Sequence, residues 1–153
     1  MSHSIDQRGR SEHGFTLVEL LVVILIIGIL AAIAIPSFLN QKGKAVDASA
    51  KELARTAQTA AATYSVDHNG SYLGMTTEEL HAVEPTIQIG SGGNNSYLEK
   101  GSGVTNASTS GYEVTATSTN GDTFSISNTG GVVSRTCTVK AGNSNGGCPT
   151  GSW

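Results

Sequence analysis

One run of this chain limits every fold open to it. Residues 14–36 read GFTLVELLVVILIIGILAAIAIP, and between Phe15 and Ile35 the only polar side chains are Thr16 and Glu19. As a helix this stretch spans about 31 Å at about 1.5 Å per residue, enough to cross the hydrocarbon core of a bilayer. A carboxylate in such a span costs roughly 3 kcal/mol on insertion scales, so Glu19 is a functional residue by expectation. The spacing also names a partner. Cleavage after Gly14 would leave Phe15 with a free α-amine, and positions i and i+4 share a helix face.

The stretch resembles the N-terminal signature of type IV pilins and their relatives. That signature is a charged leader ending in Gly, then Phe-Thr-Leu-(Val/Ile)-Glu, then an apolar helix with a recurrent proline. Here the matching residues are Gly14, Phe15, Thr16, Leu17, Val18, Glu19 and Pro36. The resemblance implies that a membrane-embedded prepilin peptidase cuts after Gly14 and methylates the new N-terminus at Phe15. It implies that Glu19 neutralises the amine of a neighbouring subunit's Phe15 as the subunits join into a helical homo-oligomer. An α-amine ordinarily titrates at about pH 7.7–8.0, so it is mostly protonated at neutral pH. Opposite charges a few ångströms apart in a low dielectric stay together. The implied partners are that peptidase, an inner-membrane assembly platform with its ATPase, the membrane before assembly, and other copies afterwards. The implied location is a single-pass anchor in the cytoplasmic membrane, then an extracellular pilus on the cell surface. A helix segment that partly melts on assembly maps between Gly28 and Pro36; Gly28 and Ala32 also form a small-xxx-small pair that lets helices approach closely.

Two other readings of this stretch stand beside that one. Glu19 is close enough to the helix start to reach headgroups or to pair with its own Phe15. The run also has features of a secretory signal, with Arg8 and Arg10 before it and Ala32-Ile33-Ala34 as a small-residue cleavage site; its length and Glu19 argue against that. Charge counting does not orient the span, because Lys42, Lys44, Lys51 and Arg55 follow it.

The chain has 153 residues and a formal net charge of −3, which excludes a strongly basic nucleic-acid binder. Four segments are expected. Residues 1–14 form a leader and 15–36 an apolar membrane and assembly helix. Residues 37–67 form the amphipathic half of the same helix, and 68–153 a small β-rich domain with a disulfide-bonded tail. The expected fold class is α+β, a long N-terminal α-helix packed on a small antiparallel β-sheet, which is also the type IV pilin fold that the resemblance implies.

Helical spacing of Val46, Ala50, Leu53, Ala57, Ala61 and Tyr64 predicts that the helix continues past Pro36 to about Val66, with Asn69 or Gly70 in a left-handed cap. Thr76 to Glu79 fit a capping box for a short helix that Pro85 ends. Thr86 to Ile89 reads as a short strand and Gly90 to Gly103 as loop. Alternation through Tyr112, Val114 and Ala116, then Asn120-Gly121, then Phe124 and Ile126 predicts a hairpin. Gly130-Gly131 turns the chain into Val132 to Val139. The sum is a three- or four-stranded antiparallel sheet.

Cys137 and Cys148 are the only cysteines. In an exported chain they are expected to pair, and a loop of about a dozen residues closes with nearly 3 kcal/mol in the chain-entropy model. Free thiols in a reducing compartment are the alternative. The resemblance implies a surface disulfide loop of the kind many pilins carry. A zinc site is not expected, since structural sites need four ligands and no His follows His81.

No cofactor, metal site or catalytic constellation is expected: Walker A, HExxH, G-x-S-x-G and CxxC patterns are all missing. Asp122 lies in a turn and could bind calcium in company, but no acidic cluster is expected around it. Asn69-Gly70-Ser71, Asn94-Asn95-Ser96 and Asn106-Ala107-Ser108 match the glycosylation sequon and carry little weight. The expected function is a structural subunit, the major pilin of a type IV pilus, and not an enzyme. The alternatives are a type II secretion pseudopilin or minor pilin, and a DNA-binding competence subunit using Lys42, Lys44, Lys51 and Arg55.

Overall fold

The computed structural model describes residues 14–93, 95–143, 145 and 147–153. The leader through residue 13, Asn94 of one sequon and Gly146 of the tail lie outside the described residues. The chain divides between Ser37 and Phe38 into two compact units.

Helix α1 covers Leu17–Asp67 and includes Pro36. It begins at Leu17 rather than Phe15 because Thr16 acts as its N-cap. Thr16 Oγ1 accepts from Glu19 N at 3.2 Å, and Thr16 O accepts from Leu20 N at 3.2 Å. Pro36 has no N–H to give to Ala32 O, yet the helix continues through it. At the far end Asn69 and Gly70 take φ of 54° and 84°, and Gly70 N bonds Ser65 O at 2.7 Å. This is the left-handed cap expected there.

Helix α2, Thr77–Val83, starts at Thr76, whose Oγ1 accepts from Glu79 N at 3.2 Å. Only that half of the capping box is among the hydrogen bonds of the described residues; Glu78 instead accepts from Thr77 Oγ1 at 2.9 Å. Leu80 is fully buried and Val83 partly, as expected.

Among the described residues the sheet has five strands, not three or four: β1 Tyr97–Leu98, β2 Val104–Thr105, β3 Gly111–Thr117, β4 Thr123–Thr129 and β5 Val132–Thr138. The order is β1-β3-β4-β5, and β2 also pairs with β3. All named pairs are antiparallel. Strands β1 and β2 lie one after the other along the same edge of β3, with Leu98 opposite Ala116 and Val104 opposite Val114. Strand β1 sits within the expected loop Gly90 to Gly103 and β2 just after it; neither showed alternation, because Gly and Ser surround two-residue strands too short to display it. Gly103 makes the join; a Cβ there would lie 2.8 Å from Glu99 O, Leu98 Cβ and Thr77 Cγ2. The expected strand Thr86–Ile89 is absent. That segment makes a single parallel bridge, Ile89 to Leu98, before Gly90 turns it away with φ 75°.

The β3–β4 hairpin closes over Ser118–Asp122, with Thr117 opposite Thr123. The β4–β5 turn is Gly130-Gly131, both at positive φ (59° and 89°), which suits the primed two-residue turn. The core lies between one face of this sheet and the later part of α1. Ala50, Ala54, Ala57 and Ala61 are completely buried, facing Val114, Ala116, Phe124 and Ile126, which are also completely buried. Of the helical face read from sequence, Val46 and Leu53 are only partly covered.

Candidate functional site

The apolar run forms a helical surface with no cover of its own. From Phe15 to Ile35 every large apolar side chain is exposed, from 83% at Phe15 to 46% at Val22. The helix contains a stretch of mean hydropathy 3.1, none of it buried. Leaving so large a contiguous apolar surface in water is strongly unfavourable, so this length calls for lipid or another protein surface. A shallow groove there is lined by Leu21, Ile24, Leu25, Gly28, Ile29 and Ala32. A Cβ built on Gly28 would meet nothing within 4 Å. Nothing inside the described chain therefore requires glycine at 28; any requirement comes from what packs against it.

Glu19 sits in the first turn of α1. Its Oε2 lies 3.5 Å from both Thr16 N and Thr16 Oγ1, and its own N–H donates to Thr16 Oγ1. Thr16-Leu17-Val18-Glu19 thus forms the reciprocal capping arrangement expected at Thr76. Sequence reading missed it here, although the same Thr-x-x-Glu pattern was in view. The two 3.5 Å contacts are long, so they hold the carboxylate loosely and leave it exposed for another donor. Gly14 and Phe15 precede the helix, and Phe15 and Glu19 are both exposed.

At the other end of the chain Cys137 and Cys148 form a disulfide with Cα atoms 5.8 Å apart. It ties the tail to β5, and Cys137 N also donates to Gly151 O at 2.9 Å. The loop it closes packs on a polar cluster that sequence reading did not find. Asp47 of α1, 2% exposed, meets Asp122 of the β3–β4 turn, fully buried and far from it in sequence. Asn120 Nδ2 lies between them, 3.1 Å from Asp47 Oδ1 and 3.0 Å from Asp122 Oδ2. Asp122 Oδ1 accepts from Lys140 N and Asn143 Nδ2, each at 2.7 Å. Gly147 closes the cluster; a Cβ there would collide with the Asp47 side chain. Asp122 thus has one acidic neighbour, Asp47, which its place in the sequence did not reveal. Burial raises the Asp47 carboxyl above its ordinary value; the Asn120 amide opposes this and the charge of Asp122 adds to it. The only sequence hint was Asp47 on the helical face otherwise made of apolar residues. Among the described residues no group of three or more His, Cys, Asp or Glu side chains is placed to hold a metal ion.

Lys42, Lys44, Lys51 and Arg55 do not form one basic edge. Lys51 and Arg55 converge on Trp153, with Lys51 Nζ 5.7 Å and the Arg55 guanidinium 5.4 Å from the ring centroid. Lys42 instead lines a small cleft with Ser49, Asn95, Ser96 and Thr119.

Residues 9–35 match the family described as the prokaryotic N-terminal methylation motif. The chain is 34% identical over 88 residues to the type II secretion system core protein G of Pectobacterium carotovorum subsp. carotovorum, covering 56% of this chain and 55% of that protein. It is 36% identical over 77 residues to a fimbrial protein of Neisseria meningitidis serogroup B, covering 50% of this chain and 45% of that protein. Against the type IV major pilin protein PilA of Myxococcus xanthus it is 49% identical over 47 residues, 31% of this chain and 21% of that protein. The matched region thus spans about half the length of the first two relatives. No solved structure matches. The chain thus carries the prokaryotic N-terminal methylation motif at the start of its uncovered apolar helix and is similar, over part of its length, to fimbrial, major-pilin and secretion core proteins.

Proposed function

We propose that this chain is a structural subunit, the major pilin, of a type IV pilus. The observation that carries this is the apolar first part of α1, exposed along its length and marked by one carboxylate near its start. Before assembly lipid covers that surface; afterwards other copies do. In this reading the prepilin peptidase cuts between Gly14 and Phe15 and methylates Phe15. An assembly platform and its ATPase lift the subunit from the membrane. Glu19 meets the cationic N-terminus of a neighbour, and the pair leaves water together, which removes the cost of burying either charge alone. Gly28 supplies a bare helix surface for close approach, and Pro36 a missing hydrogen bond at which the helix can bend. The Cys137–Cys148 loop faces outward as part of the fibre surface. No catalytic chemistry is involved.

Glu19→Ala tests this. Subunits should still accumulate in the membrane while surface fibres fall by about a hundredfold, the loss expected when one partner of a buried charge pair is removed. Fibres at wild-type yield would end the proposal. Mass spectrometry of sheared fibres should find this chain as the main component, beginning at methylated Phe15. A second reading, a subunit of a secretion system, is favoured by one observation: the likeness to the secretion core protein covers 88 residues, more than the likeness to the fimbrial protein. Absence of the chain from sheared fibres, with secretion lost on its deletion, would select that reading.

A further inference from the structure

The sheet carries opposite charge at its two edges. At the β5 edge Lys51, Arg55 and Arg135 gather on Trp153, each within 6 Å of the ring centroid; the Arg135 guanidinium stands at 5.7 Å. Arg135 lies opposite Ile126 in register, on the sheet face that covers α1, and the tail places Trp153 there through Trp153 Nε1 to Thr136 O at 2.9 Å. Among the described residues the only ion pair is Arg55 with Glu52 at 3.6 Å, so Lys51 and Arg135 have no carboxylate within 4 Å. Glu78, Glu79 and Glu84 of the α2 region stand at the other edge, together with Glu99 and Lys100 just after β1. Gly101 N donates to Thr77 Oγ1, which fixes α2 beside the β1–β2 connection. None of these acids has a cationic partner within 4 Å among the described residues.

We infer that these edges bind each other between copies, the basic β5 edge of one subunit docking on the acidic α2–β1 edge of the next. This rests on the filament reading above and specifies a contact in it. Three like charges around one indole repel one another, and a row of acids on a second copy offsets that repulsion. The two patches differ and sit at opposite ends of one sheet. Their pairing is therefore head-to-tail, and such a contact repeats without closing into a dimer. Complementary charge of this kind sets partner choice and register more than it adds affinity, which suits a contact secondary to the apolar helices.

A pair of charge-reversed subunits tests it. Arg55→Glu with Arg135→Glu makes both edges acidic. Glu79→Lys with Glu99→Lys makes both edges basic without touching Glu78 or Glu84, whose carboxylates bond to threonines. Each variant alone should lower sheared-fibre yield at least about tenfold through like-charge contact, and co-expression should restore fibres in which the two alternate. Membrane accumulation and an oxidised cysteine pair show that each variant folds. Fibres at wild-type yield from either variant alone would overturn the inference while leaving the filament reading intact. Loss that co-expression does not repair would also overturn it. If wild-type subunits form no fibres, the filament reading itself fails. A measurement without variants uses Trp153, the only tryptophan. Its quenching by acrylamide should fall on going from detergent-held subunits to fibres, and unchanged quenching would overturn the proposed contact.

Discussion

The two stretches of helix α1 reverse the usual relation between greasiness and burial. Its early part carries Leu, Ile and Val on every side and leaves them exposed, with Ile24 at 61% and Leu25 at 58%. Its later part presents mostly alanine, and Ala50, Ala54, Ala57 and Ala61 are completely buried. The difference lies in shape and patterning. An all-round apolar helix has no polar face to turn to water, so it suits lipid or a polymer interior. An alanine face is shallow; it lets a sheet approach closely, and Phe124, Ile126 and Leu98 then supply the bulk from the other side. Large residues on one layer and small ones on the other fill the space without collision.

Four substitutions sharpen or break this contrast. The largest effect on stability should come from Phe124→Ala, which removes a fully buried ring from the sheet side. It is expected to cost about 3–5 kcal/mol in denaturant unfolding of the disulfide-bonded chain in detergent. A loss no greater than that of an exposed site would mean that the alanine face, not the ring, fills the core. Next, Ala57→Leu should cost about 1–3 kcal/mol by overfilling the helix–sheet gap, although leucine is the more apolar residue. A stabilised variant would contradict the close-approach argument.

Asp47→Asn probes the polar exception on the alanine face. The Asp47 carboxyl is raised above its ordinary value in the fold, mainly by burial. The folded state therefore holds its proton more tightly than the unfolded chain. Its stabilising contribution is full below the ordinary value and is lost as pH rises through the folded value. Asparagine keeps an acceptor for the Asn120 amide and carries no charge towards Asp122. The variant should match wild type in acid and exceed it by about 1 kcal/mol near neutral pH. Equal pH profiles of the unfolding midpoint for the two proteins would refute this. The smallest effect should be that of Leu25→Ala on the same unfolding transition, within about 0.5 kcal/mol, because its side chain is exposed. A larger change would place Leu25 in a core that the contrast denies it.

Much of this molecule is legible in its residues alone, and the exceptions have local reasons. The long helix, its left-handed cap at Asn69-Gly70, the β3–β4 hairpin and the Gly130-Gly131 turn each follow from a few adjacent residues. Strands β1 and β2 do not, because two paired residues cannot display a period of two. The strand expected at Thr86–Ile89 failed for the converse reason: apolar spacing was present, but a partner was available at one position only. Glu19 stands out in the sequence as the one acid of an apolar run, whereas its capping bonds to Thr16 were not foreseen. The Asp47–Asn120–Asp122 cluster was hidden, since its members come from a helix and a turn far apart in the chain.

The order of residues by itself determined where the helix runs, which part of it rejects water on all sides, and where the chain turns, because each depends on short-range geometry and on one residue's distaste for water. Only the tertiary structure decided that on the packed helical face the alanines would be fully covered and Val46 and Leu53 only partly, that two carboxylates would share an amide beneath the disulfide loop, and that cations from helix and strand would meet on Trp153. Those outcomes depend on how closely two layers approach, and that distance is set by all the side chains between them at once.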